Sequence, residues 1–197
     1  MAFDPEQGLP MLDLHLARLG GSAEELGFQF DRHALRNELQ AATFALVEPA
    51  RVRVLLGRDG EVAIEVREKR VWPQAIMPVS VQQRAADADD VRLRHKTTDR
   101  SVHDAALRGG GTPEVLMVDD AGYLTEGTYS NLFVERGDKL LTPPASRGLL
   151  PGILRQSLLD LGEAVEADLT VSDLEGGFFI GNASRGMVAA TLVAPQR

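Results

Sequence analysis

A run of strand-forming residues between positions 115 and 141 constrains the fold of this chain more than any other stretch. Val115–Val118, Tyr123–Val134 and Leu140–Leu141 are rich in β-branched and aliphatic residues. The turn sequences Asp-Asp-Ala-Gly and Arg-Gly-Asp-Lys separate them. Aspartate and glycine clusters of this kind end one strand and begin the next. The pattern therefore predicts a meander of antiparallel strands.

A carboxylate, Glu126, lies in the middle of this predicted meander, beside a glycine and small hydroxyl residues. On its own, such a glutamate is most simply interpreted as an edge-strand residue facing water, because charged side chains are rarely buried unless they are paired. A buried glutamate at this position would need a cationic partner. The pattern alone leaves both interpretations open.

Composition limits the class of protein. The chain has 197 residues, 44% of them hydrophobic, which suits one domain or two small ones. It has no cysteine, which excludes disulfides and thiolate sites, and its histidines lack the grouping of a metal site, so we expect no metal. A net charge of −8 argues against nucleic-acid binding. No apolar run reaches the ~18 residues of a membrane span and no signal peptide is evident, so we expect a cytoplasmic protein without a membrane partner.

The first 72 residues predict a small α+β domain. Apolar spacing indicates a helix over Leu12–Leu19 and a second short helix capped at Ser22. A further helix over residues 31–44 would begin at an aspartate N-cap. Residues 51–56 and 62–66 alternate and predict a hairpin. A connector near residue 72 then separates domains 1–72 and 73–197.

The second domain is predicted to open with a strand over residues 75–81 and an exposed polar loop over 83–90. Val91–Lys96 alternates in polarity and predicts a strand that delivers Lys96 at its end, just before a helix that begins near Asp99. A lone lysine is most often a surface residue. A lysine where a strand meets a helix is nevertheless well placed for a functional site.

The C-terminal third predicts a helix and a buried strand. Pro151-Gly152 begins a helix that runs to about residue 161 and ends at Gly162. This is an ordinary proline-initiated helix, yet the main-chain N–H groups of Ile153 and Leu154 could also bind an anion, and the two interpretations are compatible. Residues 178–186 predict a buried strand that runs into a turn.

Several separated motifs resemble one known family. Residues 125–133 have the pattern Thr-Glu-Gly-Thr-x-Ser-Asn-Leu-Phe of the class IV aminotransferases, the fold-type IV pyridoxal-phosphate enzymes. Residues 141–144 and 148–155 continue the match downstream. Upstream, residues 95–100 (His-Lys-Thr-Thr-Asp-Arg) look like the lysine motif of the aminodeoxychorismate lyase branch. The resemblance implies a two-domain α+β fold with a small N-terminal domain and a larger, strand-rich C-terminal domain.

The resemblance also implies a cofactor, pyridoxal 5'-phosphate, and residues that hold it. Lys96 would form the Schiff base with the cofactor and move protons at the substrate Cα. Glu126 would keep the pyridine nitrogen protonated. Arg18, in a His-x-x-Arg-Leu helix, would bind the phosphate. The remaining implied cofactor contacts are the amides of Ile153 and Leu154 and the turn at Asn182 and Ala183.

Two arginines are implied as substrate residues. Arg100 occupies the position of an arginine in the lyase branch, and Arg185 follows the turn at the floor of the substrate pocket. The substrate would be a small molecule with amino and carboxylate groups. His103 stands where the relatives usually carry tyrosine, so the resemblance assigns it no role.

The implied reaction is the conversion of 4-amino-4-deoxychorismate to 4-aminobenzoate, a folate precursor, and pyruvate, carried out by a homodimer. An amino-acid transaminase of the branched-chain or D-amino-acid type is the alternative within the family. Only seventeen residues precede Arg18, whereas relatives have a longer first strand there. A cofactor-binding relative without turnover is therefore a third interpretation.

Overall fold

The structure is a computed structural model that describes residues 1–193. The chain forms two compact units. Unit 1 contains Met1–Val71 together with the short segment Ala183–Arg185. Unit 2 contains Trp72–Asn182 and residues 186–193 of the described chain.

Unit 1 contains a three-stranded antiparallel sheet and two helices. The sheet has the order β1-β2-β3, and the predicted hairpin is confirmed because β2 and β3 pair along seven residues each. Its core is the apolar face between the sheet and the helices, centred on Leu16, Leu35 and Leu39. The elements are β1 (Ala2–Phe3), α1 (Leu12–Leu26), α2 (Arg32–Thr43), β2 (Ala50–Leu56) and β3 (Val62–Glu68).

Helix α1 corrects one prediction, because it continues through Gly20 and Gly21 and ends at Gly27, so Ser22 begins no second helix. Two glycines in a helix interior cost about 2 kcal/mol relative to alanine. Packing explains the glycine at position 20, since a Cβ there would lie 3.1 Å from the ring of Phe30, but not the one at position 21. The missing side chain therefore lets that ring approach the helix.

Helix α2 begins as predicted. The Asp31 carboxylate accepts hydrogen bonds from the main-chain N–H groups of His33 at 2.8 Å and Ala34 at 2.9 Å. These bonds satisfy two of the N–H groups that a helix leaves unpaired at its start. They also hold the pKa of the Asp31 carboxyl below its usual value.

Unit 2 is built on an eight-stranded mixed sheet with the order β6-β5-β4-β11-β10-β7-β8-β9. Helices α3, α4 and α5 accompany it, with short 3₁₀ turns at Ala145–Arg147 and Val171–Leu174. The strands are β4 (Ile76–Gln83), β5 (Glu114–Val118), β6 (Leu124–Gly127), β7 (Asn131–Arg136), β8 (Lys139–Thr142), β9 (Ala164–Glu166), β10 (Phe178–Asn182) and β11 (Gly186–Leu192). The helices are α3 (Val91–Arg94), α4 (Ser101–Gly110) and α5 (Ile153–Asp160).

The predicted meander is only partly correct. The hairpins β5–β6 and β7–β8 form, but the predicted strand Tyr123–Val134 is broken into β6 and β7. In the sheet, β5, β4, β11 and β10 lie between these two strands. The three residues Thr128–Ser130 nevertheless join β6 directly to β7. Three residues span about 10 Å, whereas five strand spacings amount to about 24 Å. The sheet therefore curls and brings the end of β6 back towards β7.

The lysine segment also differs from the prediction. Val91–Arg94 is a short helix, α3, and not a strand, so Lys96 follows a helix rather than a strand end. Asp90 begins α3 by accepting the N–H of Arg92 at 2.8 Å, and its carboxylate also pairs with the Arg92 guanidinium. This capping favours helix where the alternating pattern favoured strand. Leu93 is the residue of α3 that is buried.

The other predictions for unit 2 are largely confirmed. Strand β4, helix α4 and strand β10 lie close to their predicted positions, and α5 ends before Gly162, whose φ is +70°. The loop at 83–90 is mostly exposed, but Arg84 is buried and donates to the carbonyl of Gly148 at 2.8 Å. Within residues 1–193, no helix is both long and apolar enough to cross a bilayer.

Candidate active site

Glu126 lies on β6 and is buried, with 3% of its surface exposed. The interpretation of an edge-strand residue facing water is therefore wrong. Its Oε1 lies 3.0 Å from Nε2 of His103, which is buried on α4. The bond uses one carboxylate oxygen and leaves Oε2 for another partner. A buried carboxylate is thus held from one side by a single imidazole.

Helix α4 places His103 against the sheet. Val102 and Ala106 of this helix pack with Val115 and Met117 of β5, in a cluster that also contains Leu93. His103 is itself buried, so its ring lies on the buried side of α4. The family resemblance assigned no role to this ring. Two facts together could have indicated it: a glutamate that needs a partner if buried, and a histidine near the implied lysine.

The turn Thr128–Ser130, which links β6 to β7, is held by a second buried carboxylate, Glu114 at the start of β5. The hydroxyl of Thr128 donates to Oε1 at 2.6 Å, and that of Ser130 donates to Oε2 at 3.1 Å. The N–H groups of Val115 and Tyr129 donate to it as well. Sequence reasoning missed Glu114 because it resembles an ordinary strand residue.

Burial and hydrogen bonding act on Glu114 in opposite directions. Burial raises the pKa of its carboxyl, and the hydrogen bonds from the turn lower the pKa, with burial the larger effect. The position of the Glu114 carboxyl also explains why residue 127 of the motif is a glycine. A Cβ on Gly127 would lie 2.5 Å from Oγ of Ser130 and 3.2 Å from the Glu114 carboxyl. Only glycine leaves room for the turn to close on Glu114.

Arg100 attaches to the same turn. Its guanidinium donates to the carbonyl of Thr128 and lies 4.8 Å from the centre of the Tyr129 ring. It also lies 3.7 Å from the carboxylate of Asp104, one helical turn further along α4. The Tyr129 side chain is 45% exposed. The implied substrate arginine is thus positioned by the residues that follow Glu126.

The start of α5 and the end of β10 approach this turn as well. The side-chain amide of Asn182 donates to the carbonyl of Tyr129 at 3.0 Å, and that of Asn131 donates to the carbonyl of Leu150 at 3.1 Å. A Cβ on Gly181 would lie 2.9 Å from Cδ2 of Leu154. The motif segment 126–131 therefore links β10 and the loop before α5.

The N-cap of α5 is Gly152, and within residues 1–193 no side chain caps the first N–H groups of this helix. The N–H groups of Ile153 and Leu154 lie in this first turn, where the helix dipole favours an anion. Ile153 is buried, and Leu154 is partly exposed. A Cβ on Gly152 would lie 1.9 Å from Oδ1 of Asn131, so the N-cap has to be glycine.

The remaining predicted residues divide between the two units. Lys96 lies in unit 2 on the loop between α3 and α4, where it is exposed. Arg18, Ala183 and Arg185 belong to unit 1. Arg18 lies on α1, and burial lowers the pKa of its guanidinium to about 10, so it stays cationic at neutral pH. The structure thus brings Glu126, Arg100 and Asn182 around one turn in unit 2. Within residues 1–193, no group of three or more His, Cys, Asp or Glu is arranged to hold a metal.

The sequence profile of amino-transferase class IV matches residues 2–193, which is nearly the whole chain. The chain therefore belongs to the class IV aminotransferase family, as the motifs indicated. It is an enzyme of the pyridoxal-phosphate-dependent aminotransferase and lyase class.

Two curated relatives represent both activities of the family. The chain is 26% identical over 169 residues to the "Putative aminodeoxychorismate lyase" of Schizosaccharomyces pombe, an alignment that covers 80% of this chain and 71% of that protein. It is 33% identical over 125 residues to the "Putative branched-chain-amino-acid aminotransferase" of Methanocaldococcus jannaschii, which covers 61% of this chain and 39% of that protein.

Solved structures confirm the predicted fold class. A protein from Mesorhizobium loti, titled "Putative amino-acid aminotransferase", superposes with a TM-score of 0.88 and 34% identity over 98% of this chain and 97% of its own. The 4-amino-4-deoxychorismate lyase of Pseudomonas aeruginosa superposes with a TM-score of 0.75 and 23% identity, covering 98% of this chain and 80% of its own. The second likeness concerns the fold alone.

Proposed function

We propose that this chain is a pyridoxal-phosphate-dependent lyase that converts 4-amino-4-deoxychorismate to 4-aminobenzoate and pyruvate. The observation that carries the proposal is the buried Glu126, held by His103 in a unit that also contains the lysine motif. A buried carboxylate with one oxygen left for a second partner suits a cationic ring nitrogen. The match to the Schizosaccharomyces pombe protein over 80% of the chain supports the lyase branch.

The donor set fits the cofactor chemically. Lys96 is exposed, and its side-chain amine can attack a carbonyl carbon to form a Schiff base with loss of water. The first turn of α5 offers uncapped N–H groups for the phosphate, and Arg18 offers a guanidinium whose planar fork matches phosphate oxygens. The side-chain amide of Asn182 is already bonded to Tyr129, so we expect the phosphate contact of that turn to come from the main chain near Ala183.

When bound, the cofactor would supply an electron sink for the bond pair released at the substrate Cα. Lys96 Nζ would carry the cofactor and then, once free, take and return a proton at the substrate Cα. Glu126 would keep a proton on the ring nitrogen. Arg100 would face the substrate carboxylate from the turn it already contacts at Thr128. Arg185 is proposed as a second carboxylate contact.

A transaminase is the second candidate, and one observation favours it. The Mesorhizobium loti protein titled as an aminotransferase has 34% identity and matches this chain in length, since 97% of it is covered. In a transaminase the same Lys96 and Glu126 would serve, and a second substrate would return the cofactor to its starting form. The lyase needs no such second substrate.

One experiment distinguishes the lyase from the transaminase. Purified protein with saturating cofactor is given 4-amino-4-deoxychorismate, and 4-aminobenzoate and pyruvate are measured. Equal amounts of both products, without any added keto acid, support the lyase. Turnover that requires an α-keto acid, with amino acids as donors, supports the transaminase. Failure in both assays, with cofactor bound, supports a relative without turnover.

We further propose that the protein acts in the cytoplasm as a homodimer. Support comes from the family resemblance and from large apolar side chains that are exposed in unit 1, with Phe44 at 88% and Val47 at 79%. Light scattering on the cofactor-loaded protein tests the assembly. A mass of one chain in a fully active sample would contradict the dimer.

A further inference from the structure

The pair His103–Glu126 constrains where its protons lie. A carboxylate accepts hydrogen bonds, and a neutral imidazole donates from one ring nitrogen only. The 3.0 Å contact joins Nε2 of His103 to Oε1 of Glu126. The other ring nitrogen, Nδ1, is buried and has no hydrogen-bond partner among residues 1–193. The positions of the protons on this pair therefore depend on which protonation state avoids a buried N–H group without an acceptor.

The pair has several protonation states, and those that place a proton on Nδ1 are costly. An imidazolium facing a carboxylate would carry an N–H on Nδ1 that is buried without an acceptor. A neutral imidazole that accepts a proton from a protonated Glu126 would carry the same unpaired N–H. Burying an unpaired donor costs a large part of its hydration. Only the neutral ring with its proton on Nε2, beside an ionised Glu126, leaves no donor unpaired.

We propose, on the basis of the proposed function, that His103 is a positioning residue that orients Glu126 without cancelling its charge. Because the ring is neutral, the pair keeps a net charge of −1. That charge would remain available to a cation at the second carboxylate oxygen. Under the proposed function, this cation would be the protonated ring nitrogen of pyridoxal phosphate. An arginine in place of His103 would carry a positive charge of its own and would compete with that cation for the negative charge of Glu126.

The first test uses the cofactor-free protein. Nitrogen-15 spectra of histidine-labelled protein at pH 7 distinguish protonated from unprotonated ring nitrogens, and the His103→Gln variant assigns the signal. We expect Nε2 to carry the proton and Nδ1 to carry none. A signal with both nitrogens protonated, or with the proton on Nδ1, would overturn the proposal. This result is independent of whether the protein binds the cofactor.

The second test compares two ligands: pyridoxal phosphate, and an analogue in which CH replaces the ring nitrogen. His103→Gln keeps a donor near the place of Nε2, and His103→Phe removes it. We expect His103→Phe to weaken binding of pyridoxal phosphate about tenfold, His103→Gln to change it little, and neither variant to affect the analogue. Equal losses for both ligands would mean a merely structural role and would refute the proposal.

A third variant separates the inference from the proposed function. Glu126→Gln should weaken the binding of pyridoxal phosphate more than the binding of the analogue, because the ring nitrogen loses its anionic partner. If Glu126→Gln affects both ligands equally, Glu126 does not face the ring and the proposed function is wrong at this residue. The nitrogen spectra still decide the proton position on His103. If His103→Phe does not fold, His103→Gln and the spectra keep the proposal testable.

Discussion

The side-chain amide of Asn182 donates a hydrogen bond of 3.0 Å to the main-chain carbonyl of Tyr129. This bond ties the end of β10 to the turn that follows Glu126, although the two residues are 53 positions apart in the chain. Since the turn also receives Arg100, the bond couples three implied contacts of the site. A change that destabilises this turn should therefore also weaken ligand binding.

Replacing Asn182 with alanine should weaken pyridoxal phosphate binding several-fold. A single neutral hydrogen bond contributes about 1 kcal/mol, which corresponds to roughly a fivefold change in affinity. Fluorescence titration of cofactor into the cofactor-free protein measures the effect. Asn37→Ala, an exposed asparagine on α2, serves as the control and should leave affinity unchanged. Equal affinities for Asn182→Ala and the native chain would contradict a positioning role for this bond.

Replacing Gly152 with alanine should disturb the start of α5. A Cβ there would lie 1.9 Å from Oδ1 of Asn131, so the asparagine has to move and its bond to Leu150 is strained. Overpacking of this kind costs about 1–3 kcal/mol. Urea unfolding should show a lower free energy of unfolding, and cofactor titration should show weaker binding. Gly176→Ala is the matched control, because nothing lies within 4 Å of a Cβ there, and it should be neutral within about 0.5 kcal/mol.

Glu114 should give the fold a characteristic pH dependence. Because burial raises the pKa of its carboxyl above the usual 4.5, its contribution to stability is fully present below 4.5 and is lost as the pH rises through the raised pKa. Glu114→Gln removes this titration. The free energy of unfolding of the native chain, minus that of the variant, should therefore fall as the pH rises from about 4.5 towards neutrality.

Urea unfolding of both proteins between pH 4 and pH 7 measures this difference. Subtraction is necessary because other carboxyls, such as those of Asp90 and Asp168, have lowered pKa values and act in the opposite direction at acid pH. A difference that stays constant would show that the hydrogen bonds of Thr128 and Ser130 balance burial, and one that rises with pH would show that they outweigh it. Either result would contradict the raised pKa of Glu114.

Arg18 should affect cofactor retention rather than chemistry. A phosphate contact is equally strong in the ground state and the transition state, so its loss raises the cofactor dissociation constant and leaves the rate at saturating cofactor nearly unchanged. Arg18→Lys keeps the charge but loses the planar fork, and we expect about tenfold weaker binding. Arg53→Ala, a half-exposed arginine on β2, is the control. Normal affinity with lost turnover would refute the assignment.

Local chemistry in the sequence predicted the elements well and their arrangement less well. The Asp31 cap and the β2–β3 hairpin depend on neighbours in the chain, and both were predicted correctly. The meander was only partly correct because its middle strand breaks at residues 128–130, and β4, β10 and β11 lie between the two resulting hairpins through long-range pairing. The lysine segment failed because the Asp90 cap outweighed an alternating pattern.

In the candidate site too, local features were predicted from the sequence and long-range partners were not. The motif indicated Glu126, but its partner His103 comes from a helix that packs over the sheet only in three dimensions. Glu114 was missed for the same reason, since its role is visible only where the turn Thr128–Ser130 folds back onto β5. A single sequence shows which residues carry unusual chemistry, whereas their partners are set by packing.

Covalent capture of the cofactor tests the central proposal most directly. Protein incubated with pyridoxal phosphate is reduced with borohydride, digested and analysed by mass spectrometry, with Lys139, a lysine on β8, as the internal comparison. We expect one pyridoxyl group per chain, on Lys96, and its loss together with nearly all turnover in Lys96→Ala. Pyridoxyl on Lys139 or another lysine instead of Lys96, or an unchanged yield and turnover in Lys96→Ala, would contradict the assignment of Lys96 as the cofactor-bearing residue.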